Sequence, residues 1–286
     1  MTRRRQAVTP WIFLAPSLTG VAVFMGFPFF DVVRRSFQDA MGVRFTGIKN
    51  YLTVWDNEAF RLAAGNTVRF LALCLPLLMA ASLGLALILT WQSNSGGSQR
   101  IARTTMVLPM VVPAASMVLV WKVLLCPDGV LNQTLSAVTG RLWRTDWAFS
   151  GHAFFVLIAT YLWKHTGYDM ILWLAGLSGI PTDLYEAARM DGAGTWQELV
   201  YITLPNLKGT LGLVGILSAA NSFRVYREAY LLAGAYPDSS IYLMPHLFAH
   251  WFLNLDIQKM TAAAVMMTAA FLMPVLAWKA AERRRR

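Results

Sequence analysis

The chain has 286 residues, of which 56% are hydrophobic and only 14% charged, whereas an ordinary soluble domain carries about 25% charged residues. This composition argues against a soluble globule and predicts a protein whose main solvent is lipid. The net charge of +10 does not indicate nucleic acid as a partner, because arginines 3–5 and 283–286 stand beside apolar runs, where positive charge is typical of the cytoplasmic side of a membrane.

Six apolar stretches are each about as long as the roughly 20 residues that cross a bilayer core. The first, second, third and sixth of these stretches have charge-free cores, whereas the fourth and fifth contain polar residues. The predicted spans are about 11–30, 70–91, 104–125, 153–175, 210–232 and 260–278. Prolines 76, 109, 113 and 274 are expected to kink helices without ending them, because neighbouring groups in a membrane protein satisfy the freed carbonyls. The sequence therefore predicts an all-α, polytopic fold with six transmembrane helices.

The apolar stretch 11–30 is longer than the core of a secretory signal, and no A-x-A site follows it. We therefore expect it to be a retained helix. The distribution of Lys and Arg among the loops favours both termini in the cytoplasm. The expected location is the cell (cytoplasmic) membrane, with multiple crossings.

Residues 179–209, between the fourth and fifth spans, are unusually polar yet patterned like folded structure; we call them the two-helix loop. Pro181 and Thr182 mark the start of a helix, and apolar residues follow at helical spacing. This first helix is expected to stop at Asp191. The alternative is an ordinary connecting loop.

The second half of the two-helix loop carries turn and capping signals. Gly192 and Gly194 supply the backbone freedom for a tight reversal. Thr195 and Glu198 have the spacing of a capping box at the start of a second helix, and Pro205 limits that helix. The prediction is a compact helix-turn-helix on the cytoplasmic face.

The two-helix loop resembles the EAA loop of permease subunits in binding-protein-dependent ABC importers. The matching positions are Glu186, Ala187, Ala188, Gly192, Ile202, Leu204 and Pro205. The segments APSLTGVAVFMGFPFF, FTGIKNYLTVW and GNTVRF also resemble the start of sugar permeases of the maltose and glycerol-phosphate type. The resemblance implies that the loop is a coupling helix docked in a cleft of an ATPase, with Glu186 paired to a basic residue there. Asp191 is assigned to the same coupling site.

The resemblance also implies the chain's partners. These are a second homologous permease, two ATP-binding subunits docked on the EAA loop, an extracytoplasmic substrate-binding protein and membrane lipid, in a bacterial or archaeal cell. The chain has no G-x-x-x-x-G-K-[ST] segment to cradle ATP phosphates. ATP and Mg are therefore expected to bind the partner ATPase, and this chain is expected to bind no cofactor. The chain is predicted to be a transport subunit and not an enzyme.

Polar groups inside the fourth and fifth spans indicate a substrate passage, because such groups normally face a bundle interior or a wet cavity. The candidate residues are Tyr161, Lys164, His165, Tyr168, Ser218, Asn221, Ser222 and Arg224. Hydroxyls, an amide and flat aromatic rings suit a carbohydrate. A further hypothesis is that Lys164, Arg224 and Arg227 attract an acidic sugar.

Two alternatives compete with this interpretation. His165 and Asp169, and likewise Arg224 and Glu228, stand four residues apart and could satisfy one another within each helix. The same charges, with Lys164, could instead couple ions in a self-sufficient secondary transporter. Such folds usually show paired repeats and broken helices, which this sequence does not display.

No metal site or catalytic residue is predicted. His246 and His250 are four residues apart but lack the Glu of the H-E-x-x-H pattern. Cys74 and Cys126 have neither zinc spacing nor a disulfide framework, and no G-x-S-x-G segment marks a nucleophile.

Overall fold

A computed structural model describes the backbone of residues 13–91 and 96–283, with side chains except those of residues 91–99, 224, 275, 278 and 281–283. The described residues form helices joined by loops, and their only β pairing is an isolated bridge between Gln38 and Phe45. The predicted all-α class is confirmed.

The helices differ widely in length. In chain order they are α1 (Phe13–Ser36), α2 (Lys49–Trp55), α3 (Glu58–Trp91), α4 (Gly96–Val111), α5 (Ala114–Leu125), α6 (Val130–Thr139), α7 (Ala153–Ser178), α8 (Thr182–Met190), α9 (Thr195–Asn206), α10 (Lys208–Ser222), α11 (Tyr226–Ala233), α12 (Met244–Leu253) and α13 (Ile257–Arg283). Within α1, Ala22–Gly26 is a π turn, and a 3-10 turn at Phe223–Val225 joins α10 to α11.

Three segments of the described chain are long and apolar enough to cross a membrane: Phe13–Ser36, Glu58–Thr90 and Ala114–Thr139. A bent pair, Thr195–Asn206 with Lys208–Ala233, would supply a fourth if it forms a single broken span. The chain is thus a multi-pass membrane protein by length and composition, and the count of six spans stays a prediction.

The third predicted span, 104–125, is not one helix. Helix α4 ends at Val111 and α5 begins at Ala114, with Pro113 in an extended conformation before it. Proline removes a backbone donor and disfavours helical geometry in the residue that precedes it. The expectation of a continuous kinked helix was therefore wrong at Pro113, whereas prolines 76, 109 and 274 do lie inside helices.

The chain divides into two compact units, one formed by Met1–Arg61 with Leu247–Arg286 and the other by Leu62–His246. In the first unit, α13 packs against α1 and α2. The buried Asn50 amide donates to the carbonyls of Ser36 and Gln38, at 2.9 and 2.7 Å. It thereby ties the start of α2 to the end of α1.

In the second unit, α7 lies among α3, α4, α10 and α11. One apolar cluster contains Phe70, Cys74, Leu78, Leu157, Tyr161, Val225 and Ala229. A second contains Ala86, Leu89, Met170, Trp173, Leu177, Leu207 and Val214. Glycine permits the closest approach, because a Cβ at Gly167 would overlap the Met106 carbonyl of α4.

Asn132 organises the segment between α5 and α7. Its side chain is 1% exposed, and its Nδ2 donates to the carbonyls of Cys126, Pro127 and Thr145. Its Oδ1 accepts from the indole N–H of Trp147, at 2.9 Å. Because all these groups need partners once buried, this one amide holds the segment in a fixed fold.

Candidate functional site

The two-helix loop folds as α8 and α9 around a bend. Helix α8 begins at Thr182 after Pro181 and ends at Met190, as expected. Gly192 has φ +81°, a conformation that only glycine adopts without strain. The N–H of Ala193 donates to the carbonyl of Ala188, at 2.9 Å, and closes the end of the helix.

The start of α9 differs from the prediction. Gly194 is the residue that precedes the helix, and its N–H donates to Oε1 of Gln197, at 2.8 Å. The proposed capping box of Thr195 and Glu198 was wrong by one residue. The reason is that a second partner, Arg189, competes successfully for the Glu198 carboxylate.

Arg189 of α8 and Glu198 of α9 form a two-point ion pair across the bend. The Nε–Oε1 distance is 2.7 Å and the Nη2–Oε2 distance is 3.3 Å. Glu198 is buried, and the guanidinium hydrogen bond lowers the pKa of its carboxyl. The charge is therefore retained where burial alone would disfavour it.

A hydroxyl chain makes the second link between α8 and α9. Tyr185 and Thr203 share a hydrogen bond of 3.0 Å, and the Thr203 hydroxyl donates to the Glu198 carbonyl, at 3.2 Å. This carbonyl belongs to a π turn at Glu198–Thr203. Tyr185, Leu199 and Ile202 also pack on the second apolar cluster, so the loop is seated on the ends of the long helices.

Most residues that match the EAA pattern are on the surface. Ala188 and Ile202 are half-buried, and the exposed ones are Glu186, Ala187, Gly192, Leu204 and Pro205. Asp191, assigned to the same coupling site, is exposed as well. A depression of ≈ 250 Å³ lies inside the bend, bordered by residues that include Ala188 and Tyr201. The carboxylates of Asp183, Glu186 and Asp191 face outward, whereas that of Glu198 is neutralised by Arg189.

The polar residues of α7 contact α10 and α11. Lys164 Nζ lies 2.6 Å from Glu228 Oε1, with side-chain exposures of 10% and 7%. One and a half turns along α7, Asp169 Oδ2 accepts from the Ser218 hydroxyl at 2.5 Å. Both links cross between helices.

These contacts give Asp169 and Glu228 partners on neighbouring helices. Asp169 bonds to Ser218, and Glu228 bonds to Lys164. The Arg224 side chain, which belongs to the predicted passage, lies outside the described residues.

The remaining passage candidates surround these links. Tyr161 is buried, and its ring stacks on His165 with centroids 4.2 Å apart. Tyr168 and Asn221 are half-buried. The Ser222 hydroxyl donates to the carbonyl of Ala219 in its own helix, at 2.6 Å.

Comparison with known proteins connects this architecture to a family. The family described as "Binding-protein-dependent transport system inner membrane component" matches residues 93–286, more than half of the chain. The chain belongs to this family. The predicted resemblance to a binding-protein-dependent permease is thereby confirmed, and the family is a transport component and not an enzyme.

Individual relatives of this permease agree with the family. A lactose transport system permease of Rhizobium radiobacter is 30% identical over 237 residues, 80% of this chain and 77% of the relative. A trehalose/maltose transport system permease of Thermococcus litoralis is 31% identical over 242 residues, 82% of this chain and 80% of the relative.

Solved structures share the fold of the permease. A bacterial ABC transporter involved in the import of the acidic polysaccharide alginate gives a TM-score of 0.82 at 24% identity, covering 99% of both chains. A bacterial alginate transporter in complex with an alginate pentasaccharide-bound periplasmic protein gives 0.83 at 23% identity, covering 98% of this chain and 96% of the other. At these identities the likeness is one of fold.

Sequence reasoning about this permease missed the links inside the loop. Tyr185, Arg189 and Thr203 were not assigned a role, and Glu198 was assigned the wrong one. A charge pair nine residues apart on opposite sides of a glycine bend was a usable signal, because the bend places such positions on facing helices. The hydroxyl pair had no comparable signal.

Proposed function

We propose that this chain is the membrane-spanning subunit of an ATP-driven carbohydrate importer. It works with a second permease, two ATP-binding subunits and an extracytoplasmic binding protein. Six spans with both termini in the cytoplasm place the two-helix loop on the side where ATP is hydrolysed. ATP binds the partner, and this chain converts the partner's closure into a change of access to the passage.

The observation that carries this proposal is an exposed, acidic two-helix loop in a chain of the binding-protein-dependent family. Glu186 is exposed on α8, whereas Tyr185 beside it faces the core. The loop therefore presents a carboxylate to a partner while it remains anchored to α3, α7 and α10. A partner that moves the loop moves those helices.

Glu186→Arg tests the docking, with Asp183→Arg as a matched charge reversal on the same exposed helix but outside the EAA positions. We expect the ATPase subunits to co-purify with wild type and with Asp183→Arg, and to be lost with Glu186→Arg. Equal retention in all three would contradict docking through Glu186. Ion-driven uptake by this chain alone would contradict the whole proposal.

The proposed cargo is a sugar or oligosaccharide. Relatives are named for lactose and trehalose/maltose transport, and the solved transporters import alginate. The aromatic pair Tyr161 and His165 and the amide of Asn221 are suited to sugar rings and hydroxyls. The proposed passage runs beside the helices that carry these groups, α7 and α10.

The charge of the cargo is tested by uptake into vesicles that contain the assembled transporter. Maltose, trehalose, lactose and alginate oligosaccharides serve as competing substrates. Lys164 is neutralised by Glu228, so any preference for an acidic sugar has to come from Arg224 or Arg227. Exclusive uptake of the neutral sugars would exclude the acidic cargo, and preferential uptake of alginate oligosaccharides would support it.

The ion-coupled alternative has no observation in its favour among the described residues. The charges that it would employ are engaged: Lys164 with Glu228, and Asp169 with Ser218. Family membership favours a permease that depends on a binding protein. Uptake that requires ATP and the binding protein, and survives collapse of ion gradients, would separate the two.

A further inference from the structure

Residues 37–56, which follow α1 and include α2, carry large apolar side chains on their outer surface. These side chains are each between 56% and 88% exposed, and they are Met41, Val43, Phe45, Ile48, Leu52 and Trp55. The side chains buried beneath them include two polar ones, Asn50 and the Ser36 hydroxyl at the end of α1. Exposed apolar surface on this scale marks an interaction site, because soluble monomers rarely leave it open to water.

The backbone of residues 37–56 is held by hydrogen bonds within the segment. The Asp39 carboxylate accepts from the N–H groups of Val43 and Arg44, at 2.9 and 3.2 Å. The N–H of Thr46 donates to the carbonyl of Phe37, at 2.7 Å. Backbone groups that enter lipid need internal partners of this kind. The segment can therefore enter the boundary of a bilayer and keep these hydrogen bonds.

Helix α2 and the residues that flank it have three distinct faces. Asn50 and Val54 form the face that is buried in the protein. The apolar exposed strip has the i, i+4, i+7 spacing of one helix face and consists of Ile48, Leu52 and Trp55. At about 100° per residue, a polar exposed strip lies beside it and consists of Lys49, Thr53 and Asp56. A helix that lies in a membrane interface has this division, with one strip toward lipid and the other toward water.

The position of the segment follows from α1. This helix, Phe13–Ser36, has 24 residues and is long and apolar enough to cross a membrane. At 1.5 Å per residue it measures about 36 Å, compared with about 30 Å for the hydrocarbon core of a bilayer. Its end therefore lies near the lipid headgroups. The Tyr51 hydroxyl, 2.6 Å from that of Ser36, and the Tyr51 ring, 5.2 Å from that of Phe37, keep α2 at this level.

We propose that residues 37–56 form a membrane-surface anchor, which inserts its exposed apolar side chains between lipid chains and turns the polar strip of α2 toward water. Lipid is the favoured occupant because the apolar surface begins where a candidate span ends and is bordered by exposed cations. These cations are Arg34, Arg35, Arg44 and Lys49. Their long stems lie along apolar surroundings while their charged groups reach the lipid phosphates. The inference goes beyond the proposed function, because it holds whichever solute the chain transports.

Nitroxide labels on single cysteines measure the surroundings of the membrane-surface anchor. Phe45→Cys and Leu52→Cys are made in a chain whose Cys74 and Cys126 are replaced by alanine. Thr53→Cys, on the polar strip next to Leu52, is the matched control. The full chain, with any subunits that purify with it, is placed in phospholipid nanodiscs. Electron paramagnetic resonance then measures collisions of each label with oxygen, which concentrates in lipid, and with a nickel chelate, which stays in water.

We expect the ratio of oxygen to nickel collisions to be several-fold higher at Phe45 and Leu52 than at Thr53. Comparison with spin-labelled lipids should place the first two labels roughly 5–10 Å inside the headgroup boundary. Frequent nickel collisions at Phe45 and Leu52 would overturn the proposal, because the surface would then be in water. Few collisions with either reagent would also overturn it, because the surface would then be covered by protein. Equal ratios at all three positions would refute the division of α2 into two exposed strips.

Photolabelling of the unmodified chain covers any change of fold caused by the cysteines. A lipid-soluble aryl diazirine is activated in the same nanodiscs, and the labelled residues are identified by mass spectrometry. In a parallel sample, hydroxyl radicals generated in water oxidise accessible methionines. We expect the diazirine to label Met41, Phe45 and Leu52, and Met41 to be protected from the radicals. Oxidation of Met41 without diazirine labelling of the segment would overturn the proposal.

Discussion

Removal of one partner of the buried Lys164–Glu228 pair provides a quantitative test of the polar links between helices. The two side chains are 10% and 7% exposed, and their charged atoms are 2.6 Å apart. Breaking a buried pair by removing one partner costs about 3–5 kcal/mol, whereas replacing both by apolar residues is often neutral. We therefore expect Lys164→Met and Glu228→Leu each to lower the free energy of unfolding by about 3 kcal/mol, and the double variant to be close to wild type.

The assay is reversible unfolding in mixed micelles titrated with sodium dodecyl sulfate and followed by circular dichroism. Because each single variant should lose about 3 kcal/mol and the double variant almost nothing, the double-mutant cycle should give a coupling energy of about 6 kcal/mol. Lys208→Met, at the exposed start of α10, is the control and should change stability by less than about 0.5 kcal/mol. A coupling energy near 0.6 kcal/mol, the average for an ordinary hydrogen bond between membrane helices, would refute the reasoning.

Three further predictions concern the loop and the packing. The pKa of the Glu198 carboxyl is lowered in the folded loop, so its ion pair stabilises the loop at pH values above the ordinary glutamate pKa, and this stabilisation is lost as the pH falls through the lowered pKa. Hydrogen exchange of the α9 amides, corrected for intrinsic rates, should become faster over that pH range, and the Glu198→Gln variant should not show this pH dependence. Gly176→Ala should lower the free energy of unfolding by about 1–3 kcal/mol, because the added methyl group overpacks the contact with Thr210, and Thr210→Gly should restore part of the loss. At Gly209 an added Cβ meets nothing within 4 Å, so Gly209→Ala should leave the free energy of unfolding unchanged in the same micelle titration. Asn132→Asp removes the amide donor from three carbonyls and should lower the free energy of unfolding by at least about 1–3 kcal/mol. The segment after α5 should then be cleaved faster by a protease. An unchanged cleavage rate would contradict the anchoring role of Asn132.

Local signals in the sequence were sufficient for the all-α class, for α8 and for the bend of the loop. Apolar length indicated the long helices, and Pro181 with Gly192 bounded α8 because each has a backbone requirement that acts within a few residues. The start of α9 was less predictable. Thr195 and Gly194 are both acceptable N-caps, and the ion pair of Glu198 with Arg189 across the bend decided between them.

The partners across helices were beyond the reach of sequence reasoning. Asp169 had His165 on its own helix as a plausible partner, whereas its bond to Ser218 on the neighbouring helix had no signal in the sequence. Spacing along one helix describes which residues share a face and contains no information about the phase of the neighbouring helix. The pairing of Lys164 with Glu228 could not be predicted without knowing which face of the neighbouring helix is turned toward α7.

The outward carboxylates of the two-helix loop have a consequence for assembly. The chain as a whole is basic, with a charge of +10, whereas this elbow presents Asp183, Glu186 and Asp191 to its surroundings. Anionic headgroups on the cytoplasmic leaflet attract basic segments and repel acidic ones. On the cytoplasmic side, where we propose that it lies, the two-helix loop is repelled from the bilayer surface. This repulsion would keep the proposed docking face accessible to an incoming subunit.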